Sequence, residues 1–302
     1  MPNPTPGTCQ QLRGLYTKLN KAISDFNDEP ESTKKINLKT QITALSTEIQ
    51  NHPQINSIIE IIDNDVQEIK FSLYEILQKD TKFYTETGID WVEVPESLLL
   101  NEEQRVEAVR IINALCPTGD YENILITYIP EGLADSGEKR QNILEKTTAG
   151  YYSKGEKGKK DYWEEDDFKE RGGIEGIVDK QTKGRLLITK KTKELENDEL
   201  FKQTVEKSVE DLTKADEIMQ ETGLRGLGLS ELLVIQRQFY NEDGEHLDEE
   251  GWTWITEIET DSSSLVPAVC WDPALAQFYL DADAPANSNR FLGCRLAQSI
   301  DI

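Results

Sequence analysis

The stretch VPAVCWDPALAQFYLDADAPANSNRFLGCRL, residues 266–296, differs in composition from everything that precedes it. Lys and Glu are frequent up to Glu259, and neither occurs again before the chain ends at Ile302. Turn formers, an aromatic anchor and a Gly-x-Arg ending supply a framework: Pro267, Trp271, Pro273, Gln277, Pro285, Leu292, Gly293 and Arg295. The residues between them show neither the alternation of a strand nor the stripe of a helix, so the pattern indicates neither element.

The intervening residues share a second property, which concerns the genetic code. Their residue types can all be encoded by codons of the form NNC, whereas Lys, Glu, Gln, Met and Trp cannot. Within the stretch the excluded types occur only at Trp271 and Gln277, which are framework positions. The intervening set comprises Ala268, Cys270, Asp272, Ala274, Leu275, Ala276, Phe278, Asp281, Asp283, Ala284, Ala286, Asn287, Ser288, Asn289, Arg290 and Phe291.

This pattern resembles the C-terminal variable region of the target proteins of diversity-generating retroelements. The resemblance is carried by Trp271-Asp272-Pro273, Gln277-Phe278-Tyr279-Leu280, Asn287-Ser288 and Leu292-Gly293-Cys294-Arg295-Leu296. In that family, reverse transcription randomises the adenines of AAC codons, which encode Asn, so that variable positions become NNC. Restoring Asn at the intervening positions gives an Asn-rich template of the expected kind.

The end of the stretch is also similar to the Gly-Phe-Arg ending of the C-type-lectin-like fold, which these proteins share with formylglycine-generating enzymes. It departs from that ending in having Cys294 where Phe is usual. The string from Gly228-Leu229-Ser230 to Trp252-Thr253-Trp254 resembles the segment that precedes the variable region in the family. The likeness covers about the last 80 residues, from Gly223 onward.

The resemblance implies an α+β protein whose residues 86–302 form a C-type-lectin-like ligand-binding domain. A charged insertion at about 137–173 would interrupt this domain, and the variable region would span about 266–296. Within the insertion we predict the glycine- and lysine-rich run 154–160 to be a surface loop. As structural framework the resemblance implies Trp252, Trp254, Trp271, Gly293 and Arg295. Among these we predict that Trp271 is structural and that Arg295 closes a buried network of charges or hydrogen bonds.

The function that the resemblance implies is ligand recognition and not catalysis. A rigid scaffold would display residues 268–291, Tyr279 among them, on one exposed face that tolerates many side-chain sets. The ligand would be a macromolecule, and we expect a protein. Aromatic residues and Arg dominate binding hot spots, so we predict these anchors: Phe278, Tyr279, Arg290 and Phe291.

Upstream, residues 1–85 carry three apolar stripes with the three- and four-residue spacing of packed helices. The stripes begin at Leu12, Leu38 and Ile55, and turn-forming residues separate them. Short breaks between such helices predict an N-terminal helical bundle. Its apolar seams would serve either the bundle itself or homo-oligomerisation.

The charge of the chain restricts its partners. It has 302 residues, with 57 Asp and Glu against 33 Lys and Arg, and a formal net charge of −24. Nucleic-acid affinity comes from Lys and Arg that neutralise phosphates, so this charge argues against a nucleic-acid partner. No segment has the ~20 apolar residues that cross a bilayer, and a secretory signal is absent, which predicts no membrane insertion. We expect a cytoplasmic or virion-associated location by default.

Motifs for catalysis or metal binding are missing from the sequence. It has no H-E-x-x-H, no G-x-S-x-G and no phosphate-binding loop, so we predict no enzyme, no cofactor and no metal. The four cysteines form no C-x-x-C pair, and we expect free thiols unless the fold brings Cys270 to Cys294. Two alternatives stay open: an oligomeric structural or virion protein assembled by its helices, and a carboxylate- or metal-dependent enzyme.

Overall fold

The computed structural model divides the chain into two compact units. Unit 1 comprises Met1–Lys79 and Pro95–Arg105, and unit 2 comprises Asp80–Val94 and Val106–Ile302. The architecture is mixed α+β. The structure describes residues 15, 18, 21–22, 25–26, 32–50, 58–62, 68–86, 94–95, 98–134, 136–148, 162–170, 172–204, 211–259, 265–274, 277–283 and 292–302.

Unit 1 contains helix α1, Ser32–Gln50, followed by an antiparallel hairpin of β1, Ile58–Ile62, and β2, Glu68–Ser72. The predicted third helix, beginning at Ile55, is therefore wrong over these two strands. The sequences IIEII and EIKFS are rich in β-branched and aromatic residues, which a pleated strand accommodates better than a helix does. Burial along β1 alternates with a two-residue period, as a strand requires.

The described residues of the N-terminal segment thus contain less helix than the predicted bundle would. The described residues of the first predicted helix are all helical: Leu15, Lys18, Lys21, Ala22, Asp25 and Phe26. The division between the units falls inside α2, Leu73–Glu86, and inside α3, Glu102–Leu115. None of the helices in the described parts of the chain is long and apolar enough to cross a membrane.

One sheet of unit 2 has three antiparallel strands in the order β10-β5-β3. Strand β3 spans Ile124–Ile129, a run rich in β-branched residues. Strand β5, Arg185–Lys190, lies in the middle, and β10, Ala297–Asp301, pairs with its other side. The last strand of the chain therefore follows directly on the stretch that carries the family resemblance.

The other sheet of unit 2 has five strands in the order β4-β8-β7-β6-β9. Its centre is the antiparallel pair of β7, Val266–Asp272, and β8, Gln277–Asp283. Strand β6, Trp252–Trp254, pairs antiparallel with β7. The short strands β4, Tyr162–Glu164, and β9, Leu292–Gly293, pair parallel with β8 and β6 respectively.

Helices and single turns complete unit 2. The helices are α4, Gly137–Thr148; α5, Asp166–Glu170; α6, Gly173–Gly176; α7, Asp211–Thr222; and α8, Leu229–Asp243. Three 3-10 turns span Tyr121–Asn123, Leu195–Asn197 and Phe201–Thr204. One core cluster joins both sheets to α4 and α8, and it includes Leu187, Leu233 and Leu280.

The described residues of the charged insertion predicted at about 137–173 form helices and a strand that contribute to the core. They form α4, β4, α5 and the start of α6, and four of their apolar side chains lie in the core: Ile143, Leu144, Tyr162 and Phe168. Arg140 is also fully buried, and its guanidinium donates hydrogen bonds to the carbonyl oxygens of Ala134, Ile174 and Ile177. These few apolar residues anchor the segment in the core, but the many charged residues around them made that pattern hard to recognise in the sequence. The surface loop predicted at 154–160 lies outside the described part of the chain, as do all of residues 149–161.

Candidate functional site

The β7–β8 hairpin contains the alternation that the sequence did not reveal. Antiparallel pairing places Val269 opposite Leu280 and Trp271 opposite Phe278, and these four side chains belong to the core cluster. Residues opposite each other in a sheet point to the same side, and their chain neighbours point to the other side. The interpretation of this stretch as neither strand nor helix is therefore wrong for both strands.

The other side of the hairpin collects most of the described residues that we predict to be variable. It carries Ala268, Cys270 and Asp272 from β7, and Tyr279 and Asp281 from β8. By the register of β6 with β7, Trp252 and Trp254 point to this same side. We call this surface the outer face and the opposite surface the inner face.

Two corrections follow for the predicted binding residues. Phe278, predicted to be a binding anchor, lies on the inner face and is 2% exposed, so it is a core residue. Ala268 and Cys270 lie on the outer face, but they are only 2% and 8% exposed, so larger neighbours cover them. Asp272, Tyr279 and Asp281 are partly exposed, and Ala274 is exposed in the turn between the strands.

Three side chains lie side by side across the middle of the outer face, one from each of β6, β7 and β8. Cys270 is paired with Tyr279, and the register of β6 places Trp252 on the other side of Cys270. The rings of Trp252 and Tyr279 meet edge to face, with their centroids 6.0 Å apart. A small side chain between two large rings explains why Cys270 is buried, and burial raises the pKa of its thiol well above the ordinary value.

We expect iodoacetamide at pH 8 to alkylate Cys270 slowly in the native protein, because the thiolate is the reactive form and burial disfavours it. Trp252→Ala removes one of the two covering rings and is expected to raise this rate about tenfold or more. Peptide mapping by mass spectrometry gives the rate at each cysteine. Buried Cys116 provides an internal control, since its rate should not change. Equal acceleration at both cysteines would mean loosening of the whole protein, and would contradict a local cover.

Two aspartates lie on the outer face near Tyr279 and Cys270. Asp281 is two residues from Tyr279 along β8, and Asp272 is two residues from Cys270 along β7, all on the outer face. Burial and the hydrogen bond of its hydroxyl to Glu165 raise the pKa of Tyr279, so the phenol is neutral at pH 7. Asp272 and Asp281 also accept hydrogen bonds from the backbone N–H groups of nearby alanines in the hairpin. The outer face is therefore aromatic at its middle, with carboxylates nearby.

An aromatic stack supports the hairpin from the inner face. The ring of His246 stacks on Trp271, with centroids 3.5 Å apart, and on Tyr240, at 4.6 Å. Phe278 meets Trp271 edge to face at 5.0 Å. Burial, with Arg237 and Lys193 nearby, lowers the pKa of His246 to about 3, so the imidazole stays neutral in the stack. These contacts fix Trp271, which we predict from sequence to be structural.

Arg295, near the end of the predicted variable region, is 1% exposed. Its guanidinium binds Asp248 in a two-point ion pair, with Nη2–Oδ1 and Nε–Oδ2 distances of 2.6 and 3.0 Å. It also donates to the carbonyl oxygens of Thr192 and Lys193. The carbonyl of Asp248 in turn accepts the backbone N–H of Trp271. Through Asp248, the ion pair thus connects the Gly-x-Arg ending to strand β7 of the hairpin.

A second buried ion cluster lies at the start of α8. Glu231 is fully buried and binds two guanidiniums: Arg185 Nε at 2.8 Å, and Arg225 through both terminal nitrogens at 2.7 and 2.8 Å. It also accepts the backbone N–H of Gly228, which is the N-cap residue. Burial alone would raise the pKa of Glu231, but the two arginines, Arg225 foremost, reverse this and lower it to about 2. The cluster joins α8 to β5.

The remaining predicted positions divide between framework and residues that the structure does not describe. Gly293 is buried in β9 opposite Thr253, and Trp254 is 1% exposed, with no acceptor for its indole N–H among the described residues. The backbone of Asp283 ends β8. The predicted variable positions outside the described residues are Leu275, Ala276, Ala284, Ala286, Asn287, Ser288, Asn289, Arg290 and Phe291.

Sequence reasoning missed several residues that organise this region. The sequence places His246 and Asp248 in a loop rich in Asp and Glu, and Glu231 at the start of a predicted helix that runs to Tyr240. Asp248 has no distinguishing signal in the sequence, and its left-handed φ of +57° is seen only in the structure. Glu231 follows the N-cap residue Gly228 by three positions, which is the spacing of a capping box. That spacing was the one feature that a closer inspection of the sequence would have found.

Cys270 and Cys294, whose pairing the sequence left open, form no disulfide with each other, and Cys116 forms none either. The described residues contain no group of three or more His, Cys, Asp or Glu side chains that would hold a metal ion. Comparisons of this chain with protein-family models, with curated proteins and with solved structures found no match. The geometry of the hairpin and the sequence pattern therefore carry the functional argument.

Proposed function

We propose that this protein displays a diversified ligand-binding surface on the outer face of the β7–β8 hairpin, and that a diversity-generating retroelement varies that surface. Its scaffold would be a C-type-lectin-like fold, and its activity would be recognition of a macromolecule without catalysis. One observation supports this above the others. Ala268, Cys270, Asp272, Tyr279 and Asp281, all of NNC-encodable types, alternate with core residues and share one side of the sheet.

The inner face supplies the rigidity that such a surface needs. Val269, Trp271 and Leu280 are at most 3% exposed, so substitutions there would leave cavities in a close-packed core. Substitutions at partly exposed outer positions cost little folding free energy, since surface changes usually lie within about 0.5 kcal/mol. Diversification restricted to the outer face would therefore change the ligand without changing the fold.

Sequencing the DNA around the gene tests this proposal. We expect a nearby repeat of codons 266–296 that has AAC where the gene varies, together with a reverse transcriptase gene. Copies of the gene sampled from a population should vary at codons 268, 270, 272, 279 and 281. Codons 269, 271 and 280 should stay constant, and they provide the matched control within the same hairpin. Equal variation at inner and outer codons, or the absence of any repeat, would contradict the proposal.

A further inference from the structure

We infer that the outer face of this variant binds a basic protein segment, with an Arg or Lys side chain seated over Trp252 and Tyr279. This inference rests on the proposed function, because it names the partner class of the same surface. It adds a chemical identity that the pattern of variable codons does not contain. Three features of the outer face carry it: an aromatic pair, the carboxylates near that pair, and the charge of the sheet.

The aromatic pair provides the contact surface. Trp252 and Tyr279 are partly exposed, and their rings meet edge to face over Cys270. The faces of Trp and Tyr rings attract Lys and Arg through their negative quadrupole, and Trp does so most strongly. Arg is favoured over Lys at such a site, since its planar guanidinium stacks on a ring and keeps its hydrogen-bond donors at the edge.

The carboxylates provide the charge. On the outer face, Asp272 is two residues from Cys270 and Asp281 is two residues from Tyr279. The Tyr279 hydroxyl also donates a hydrogen bond to Glu165. Carboxylate oxygens accept hydrogen bonds from a guanidinium in a two-point geometry, which places a cation between ring and acid. A cation at this position would contact both features at once.

The sheet as a whole has one sign of charge. The sequences of its five strands, YWE, WTW, VPAVCWD, QFYLDAD and LG, contain no Lys and no Arg. With a chain charge of −24, this surface repels anionic partners and attracts cationic ones at long range, which speeds their association. A face of this kind favours the side chains of a basic protein over a phosphate-bearing ligand.

The geometry also favours a protein segment over a small cation. The partly exposed residues of the outer face, Trp252, Asp272, Tyr279 and Asp281, are spread over three neighbouring strands of one sheet. A small molecule needs a concave site that surrounds it, whereas a flat face binds through side chains that a partner holds in place.

Fluorescence anisotropy with the full-length protein tests the inference. The probes are three labelled Gly-Ser peptides of equal length that carry three Arg, three Lys or three Glu residues. At about 50 mM salt we expect binding of the Arg peptide, weaker binding of the Lys peptide and none of the Glu peptide, with affinity falling as salt shortens the Debye length. Asp272→Asn with Asp281→Asn is expected to weaken Arg-peptide binding about tenfold, and Tyr279→Ala similarly.

A matched variant separates a local site from the general field of an acidic protein. Asp216→Asn with Glu217→Gln removes the same two charges from exposed positions on α7 and is expected to change affinity less than about twofold. Equal loss in both double variants, equal binding of the Glu peptide, or no binding of the Arg peptide would overturn the inference. The codon survey judges the proposed function separately: variation restricted to outer codons would uphold it even if every basic peptide fails.

Discussion

Replacing Glu231 by Ala is expected to destabilise the protein by about 3–5 kcal/mol, because it leaves two buried guanidiniums without their shared counter-charge. Arg185 is fully buried and Arg225 is 9% exposed, so water cannot replace the lost carboxylate at either without opening the core. The Gly228 N–H at the start of α8 loses its acceptor as well. Urea unfolding followed by circular dichroism measures the change in the free energy of unfolding.

The controls for this prediction are a second variant and a pH series. Glu217→Ala removes an exposed acid from helix α7 and should cost less than about 0.5 kcal/mol. The pKa of Glu231 is about 2 in the folded protein and lies near 4.5 when the chain is unfolded. The folded state thus gains stability above pH 4.5 and loses it as the pH falls toward 2, which amounts to roughly 3 kcal/mol at about 1.4 kcal/mol for each unit.

The stability difference between the native protein and Glu231→Gln should accordingly shrink between pH 4.5 and 2. A difference that stays constant over that range would mean that the charge on Glu231 does not hold the cluster together. A cost below about 1 kcal/mol for Glu231→Ala at pH 7 would lead to the same conclusion.

The hairpin shows why its strands were hard to predict from the sequence. Alternation is visible only when outward residues are polar, and here Ala268, Cys270 and Tyr279 face outward although none of them is charged. Along β8 the outer residues Gln277, Tyr279 and Asp281 do alternate with apolar ones, but along β7 Asp272 is the one charged residue of the outer face. The diversification that we propose would itself remove the signal, because residues selected for a ligand need not be hydrophilic.

The N-terminal error has a different physical cause. Isoleucines at 58, 62 and 69 fit a four- and seven-residue helical spacing, while Ile59 and Ile61, both 1% exposed, fit the alternation of a strand. A run such as IIEII satisfies both patterns, and pairing with a second strand decides between them. That pairing is a contact between two segments of the chain, and a local window of the sequence does not specify it.

The buried ion pairs could not be predicted from the sequence, because the partners lie far apart along the chain. Arg295 and Asp248 are 47 residues apart, and Arg185 and Glu231 are 46 residues apart. In a chain with 90 charged residues, 57 acidic and 33 basic, no pattern selects these partners from the rest. The Gly-x-Arg ending predicted that Arg295 closes a network, but the partner became known only from the fold.

Trp271→Ala is expected to cost about 3–5 kcal/mol of folding free energy, whereas Trp252→Ala, the same deletion on the outer face, should cost about 1 kcal/mol. Trp271 is 2% exposed and contacts His246 and Phe278, so its loss opens a cavity in the core. Trp252 is partly exposed, and water can occupy the space that it leaves. Chemical unfolding of both variants, with Tyr279→Ala and Asp281→Ala beside them, measures the contrast.

This contrast decides whether the hairpin is a display surface. A surface that carries many side-chain sets must contribute little to folding, so that each new set still gives a folded protein. Outer-face variants that fold like the parent, beside a Trp271 variant that barely folds, would mean that recognition and stability rest on opposite sides of one sheet. If the outer-face substitutions cost as much folding free energy as Trp271→Ala, the substituted residues are structural. The proposal of a diversified surface would then fail, even if a template repeat lay beside the gene.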